Sequence, residues 1–324
     1  MPGWRRADAM AMLAPDGGEG TRMATHDHGR WGCACWGSDD QLGAANLLTP
    51  ERRLAALKSI GTGRTYDLSH AFGMGAPAMA PNQTPFLMSM WATARDAIRR
   101  ARKMGFTNEA GVNIERIEMT AHVGTHIDAL GHVSKGMQLY NGFACEDVTT
   151  GWGLEKLGIE HVPPIITRGV LLDVAALDGG PHLQAGRVVA PDDLARAAGT
   201  AGVSIEPGDV AMIRTGWGRY FDVDNAKYLS GSPGIDVPAA QWLTRQGVVA
   251  IGSDNMALEV LPNPDHAKRL PVHQHCLAEA GVHIIENLML DELAADGIAT
   301  FCLIVLPPKM RGATGAPVRP VAIL

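Results

Sequence analysis

The chain has 324 residues, a formal net charge of −6, and 46% hydrophobic against 19% charged residues. That composition excludes an intrinsically disordered chain, and the length is enough to bury a core without disulfide staples. The acidic balance offers no basic stripe for nucleic acid and disfavours an anionic membrane surface, so neither is expected as a partner.

Residues 1–35 read as a flexible arm and 36–324 as one domain. The arm holds four arginines and a short apolar patch, AMAMLA, but lacks the apolar core of a signal peptide. Cytoplasmic location is therefore expected, and Met23 offers a second start. The five cysteines, Cys33, Cys35, Cys145, Cys276 and Cys302, are odd in number and scattered. That pattern suits a reducing compartment better than a disulfide framework. Thr49, Pro50 and Glu51 form a helix start that Gly61 stops. TYDLSHAF (65–72) reads as a strand entering a loop. Residues 73–86, rich in Gly, Pro, Ala and Met, read as a mobile loop or lid, and 96–104 as a short helix.

Further on, short apolar runs alternate with helix-like segments. GVLLDVAA (169–176), DVAMIRTGW (209–217), VVAIGSDN (248–255) and ATFCLIVLP (299–307) predict strands. Segments 191–202, 237–247, 273–281 and 287–297 predict helices, with Pro191 and Pro238 near their starts. The alternation implies an α/β domain. The longest apolar stretches are strand-sized, which leaves no membrane span.

The chemistry concentrates in IEMTAHVGTHIDALGH (117–132). Read as a strand, its odd positions, Ile117, Met119, Ala121, Val123, Thr125 and Ile127, are nearly all apolar. Its even positions, Glu118, Thr120, His122, Gly124, His126 and Asp128, are polar or glycine. One face would pack on a core while the other presents two imidazoles and a carboxylate, with Gly124 leaving room for an ion or ligand. His132 would return to the same place after a turn. Two imidazoles and a carboxylate form a catalytic metal set with positions left for water and substrate. Zn²⁺ is the first expectation and Mn²⁺ the second. A single histidine of this kind is usually a hydrogen-bonded structural residue; three with an aspartate together on a polar face argue for metal.

HVGTHIDALGH resembles the HxGTHxDxPxH signature of the metal-dependent cyclase-like hydrolases, a family that includes bacterial kynurenine formamidase and isatin hydrolase. Leu130 departs from the pattern at the usual proline, which bears on the turn and not on the ligands. YDLSH (66–70), RTGW (214–217), GSDN (252–255), and PVHQH followed by IIENL (271–288) are also similar to that family, so the likeness runs from about residue 36 to the C-terminus.

The resemblance implies a single domain of swivelling β/β/α type, with a β-barrel-like sheet layer and flanking helices. It implies that His122, His126 and Asp128 hold the metal, one or two ions per subunit. His132, His273 and Glu286 would be catalytic, or would hold the second ion. His275 competes with His273, and Glu286 could instead serve as a salt bridge or a cap. The implied function is hydrolysis of an amide or cyclic amide by metal-activated water, on a small aromatic or cyclic substrate, in a homodimer or homotetramer. A lactone or ester hydrolase on the same site and a non-catalytic metal-dependent binder are the alternatives. Asp254, after an apolar strand, is a candidate for orienting a ligand histidine, or merely a turn residue. Phe72, Phe86, Trp91 and the RTGW segment are candidates for the pocket wall.

Overall fold

The structure is a computed structural model and describes residues 36–324. The arm expected over 1–35, with Cys33 and Cys35, lies outside them.

Nine strands form one mixed sheet. Its order is Thr65–Asp67, Val321–Ile323, Thr300–Val305, Ile165–Asp173, Val210–Arg214, Ala250–Ser253, His283–Glu286, His126–Asp128 and Gly315–Pro317. The four strands from Ile165–Asp173 to His283–Glu286 run parallel, and the remaining pairs are antiparallel. The sheet must curl. Pro317 and Val321 are four residues apart, a reach of at most about 14 Å, yet their strands are seven spacings apart in the sheet order, roughly 34 Å if it were flat. This is the expected barrel-like layer.

Alternating side chains bury both faces. Leu171, Met212, Ala250, Ile285, Leu303 and Ile127 fill the inside of the curl. Their neighbours Val170, Leu172, Ile213, Ile251 and Ile284 pack outward against helices through Leu194, Leu243 and Leu277. Such two-sided burial explains why these strands read as continuous apolar runs.

The helices follow their caps. Thr49 caps Pro50–Lys58, Thr93 caps Ala94–Lys103, and Asp236 caps Val237–Thr244 with its Oδ1 2.8 Å from Ala239 N. Pro191–Ala201 ends at Gly202 in the left-handed region. The helix expected over 273–281 is an α-turn, Pro271–His273, running into a π-helix, Gln274–Ala280. The one expected over 287–297 shrinks to Asp291–Ala295. The strand expected to enter a loop within 65–72 does so after Asp67.

The single strand expected through 117–128 is corrected. Ile114–Glu118 pairs with Leu87–Ala92 in a separate, exposed hairpin, then the chain bends through 121–125 before His126–Asp128 joins the main sheet. Gly124 sits at φ +73°, and a Cβ there would lie 2.5 Å from the Phe72 ring. Its role is the bend and the close packing of Phe72, not room for an ion. Among the described residues, no helix is long and apolar enough to cross a membrane.

Candidate metal and catalytic site

The site lies on the sheet's helix-facing side, at the junction of His126–Asp128 and His283–Glu286. Asp128 stands opposite Ile284, and His126 opposite Glu286. The pleat therefore puts His126, Asp128 and Glu286 on one face, while Ile127 and Ile285 point into the curl. His122 reaches in from the bend, and His132 from the turn after Asp128, their rings stacked with centroids 3.9 Å apart. His273 enters from the Pro271–His273 turn.

All six expected residues meet in one cluster; five of them fall into two groups that share Asp128, and His273 stands beside these. His122, Asp128 and His132 form one, and His126, Asp128 and Glu286 the other, each able to bring three ligand atoms within 4.8 Å of one another. His122 Nδ1 donates to Asp128 Oδ1 at 2.8 Å, and its Nε2 meets Thr314 Oγ1 at 2.9 Å. His126 Nδ1 donates to the Gly124 carbonyl at 2.8 Å. That bond turns Nε2 towards Glu286 Oε2 at 3.2 Å and Asp128 Oδ1 at 3.6 Å. His273 Nε2 lies 3.1 Å from Glu286 Oε1 and 3.8 Å from Asp128 Oδ2. His275, its rival, instead pairs with Glu279 and Thr244.

Burial works against charge on Asp128, but the imidazoles of His132, His122 and His126 outweigh it and hold the carboxyl far below the usual range. Burial likewise opposes ionisation of Glu286, and bonds from His126 and His273 bring it below its ordinary value. Burial pushes His132 down to about 4, leaving it neutral at pH 7. For His273 burial is overcome by Glu259 and Glu286, which raise it well above the ordinary histidine value.

The donor set fits a metal ion. Asp128 Oδ2 is buried and has no hydrogen-bond partner, and Glu286 Oε1 meets only His273 Nε2 at 3.1 Å. A desolvated carboxylate oxygen without a donor is costly unless a cation satisfies it, and imidazole with carboxylate is the ligand chemistry of Zn²⁺ and Mn²⁺.

A cavity of about 510 Å³ opens over the cluster, within the size range of small-molecule sites. Met79, Val133, Met256, Ala257 and Leu270 supply its apolar walls, and Gln83 and Arg269 its polar groups. Met79, Asn82 and Gln83 belong to the segment expected as a lid, and Gln83 Nε2 donates to the His122 carbonyl at 2.9 Å. The aromatic wall does not form. Phe72 covers Gly124 and meets Phe86 edge-on, while Trp91 is 74% exposed on the hairpin. Arg214 pairs with Asp173 and Asp291, and Trp217 is core. Asp254 touches no imidazole of the cluster. It accepts from Thr215 N, Thr215 Oγ1 and Gly216 N, holding the turn after Val210–Arg214.

Sequence reasoning missed two supports. Asn287, at φ 56°, donates from Nδ2 to the Gly124 carbonyl at 2.8 Å and accepts from Tyr228 at Oδ1, tying the bend to the Glu286 strand. Glu259 holds His273 through Nδ1 at 2.7 Å. A lone carboxylate in the apolar run MALEVL was the available signal, since a buried charge needs a partner.

The profile of the putative cyclase family matches residues 66–260, more than half of the chain. A kynurenine formamidase of Bordetella petrii is 25% identical over 258 residues, covering 80% of this chain and 97% of its own. The crystal structure of a novel cyclase superposes with a TM-score of 0.80 at 33% identity, covering 90% of this chain and 98% of that one. Isatin hydrolase A of Labrenzia aggregata, solved with benzyl benzoate, superposes at 0.61 with 22% identity, covering 85% and 98%.

Proposed function

The chain belongs to the putative cyclase family, and from that premise we propose that it is a metal-dependent hydrolase of a C–N bond outside peptides, in a linear or cyclic amide. The observation that carries the reading is the cluster itself. Six ligand-capable side chains converge under one cavity, around a buried Asp128 oxygen, Oδ2, that has no donor. The relatives add the bond class, through the kynurenine formamidase and isatin hydrolase names.

His122, His126 and Asp128 would hold the first ion, with Glu286, His273 and His132 placed for a second or for proton movement. Zn²⁺ or Mn²⁺ supplies Lewis acidity and lowers the pKa of water. The chain's own groups do the rest. His132, neutral at pH 7, accepts a proton at the cavity wall. His273, with Nε2 3.1 Å from Glu286 Oε1 at the cavity, is placed to return one to the leaving nitrogen. The apolar walls exclude water and suit a small ring or aryl amide.

The test is elemental analysis of tag-free protein beside His122→Ala and His132→Ala, followed by panels of aryl formamides, cyclic amides and lactones. One or two equivalents of metal in wild type, reduced in His122→Ala, with turnover of an amide, supports the reading. Turnover of lactones alone moves it to ester hydrolysis. Wild type that takes up no ion after reconstitution overturns it.

A further inference from the structure

Glu259 lies outside every expected ligand set, and it is completely buried. It follows the Ala250–Ser253 strand and is bridged in parallel to Ile235. The backbone around it is tightly placed. A Cβ on Gly234 would fall 2.3 Å from the Glu259 carbonyl carbon, and Asn255 Nδ2 ties the Pro233 carbonyl at 2.5 Å. One carboxylate oxygen, Oε1, takes two donors of His273: Nδ1 at 2.7 Å and the backbone N at 3.2 Å. Oε2 has no partner. A buried carboxylate aimed so completely at one residue has two effects. It requires the proton to sit on Nδ1, and it fixes the plane of the ring.

The geometry points to Glu259 as a positioning residue that delivers His273 Nε2 to the cavity, between Glu286 Oε1 and Asp128 Oδ2. This rests on the metal reading above for its purpose, but not for its geometry. Carboxylates that hold the far nitrogen of a ligand imidazole typically change metal affinity 10–100-fold when removed. The rival is a purely structural role, with Glu259 capping the Pro271–His273 turn through the backbone N alone. A cap affects folding; it does not set the ring nitrogen that carries the proton.

The test uses full-length Glu259→Ala, Glu259→Gln and the Glu259→Ala/His273→Ala double variant. Long-range ¹H–¹⁵N spectra of the imidazoles should show a protonated, slowly exchanging Nδ1 on His273 in wild type, lost in Glu259→Ala and restored in Glu259→Gln. Zn²⁺ competition titration should show about a 10–100-fold weaker affinity in Glu259→Ala, with partial rescue by glutamine. That loss should disappear when His273 is already alanine. An unchanged His273 proton in Glu259→Ala overturns the inference, as does a Zn²⁺ loss that persists in the His273→Ala background. If wild type binds no Zn²⁺, the metal reading fails alone, and the Nδ1 spectrum still decides the role of Glu259.

Discussion

The two halves of one alternating segment behave in opposite ways. Ile114–Glu118 is exposed along its whole length, in a hairpin with Leu87–Ala92 that leaves Met88, Met90 and Trp91 about half or more open to solvent. Ten residues on, His126–Asp128 is fully buried in the main sheet. The alternation begins at Ile117 in the first strand and runs on into the second, but only the second has neighbours on each side. Alternation reports that a chain is extended; it does not report what lies against its faces. The buried half can therefore hold side chains to fixed positions, whereas the exposed half is supported mainly by its own pairing.

The largest expected break of that contrast is Asp128→Ala. Asp128 is common to both ligand groups, so all bound metal and all turnover should be lost, read by elemental analysis and by whichever amide proves active. Next is Gly124→Ala, at the bend that joins the two halves. A left-handed alanine pressed on Phe72 should cost about 2–3 kcal/mol, seen in denaturant unfolding.

A smaller effect concerns acid. Burial pushes His70, stacked on Phe221, from 6.5 down to about 4. Its stabilising contribution is complete above the unfolded value and is lost as pH falls through the window from 6.5 towards 4. His70→Phe should therefore lose about 2 kcal/mol less than wild type between pH 7.5 and pH 5, by urea titration. Smallest of all is Trp91→Ser on the hairpin. It should shift stability by no more than about 0.5 kcal/mol and leave metal content unchanged; a larger loss would mean the hairpin is not the weakly supported half.

The legible parts of the fold were those whose physics is local. The cap at Thr49, the helix start at Pro238 and the parallel strands Ile165–Asp173, Val210–Arg214 and Ala250–Ser253 depend on short patterns, and they stand close to where those patterns put them. All six candidate site residues were named from a motif and its distant partners, and they converge. The supports were not legible. Glu259 and Asn287 act across the fold on residues 14 and 163 positions away. No local period encodes such a contact. The Leu87–Ala92 hairpin strand was hidden because it lies within a stretch whose prolines and glycines drew attention to the loop before it.

The last strands have a consequence for biosynthesis. Gly315–Pro317 pairs with the site strand, and four residues later Val321–Ile323 pairs near the opposite edge. Thr314 also supplies the partner of His122 Nε2 and the acceptor for the Ala129 amide. A ribosome makes these residues after almost everything else described here. The parallel core can assemble while translation continues, but the ring of strands cannot be stitched shut, nor His122 pinned, until residues 314–323 have emerged. The nascent chain therefore carries a half-made centre, and its assembly is timed by the emergence of residues 314–323 and not by the appearance of its ligands.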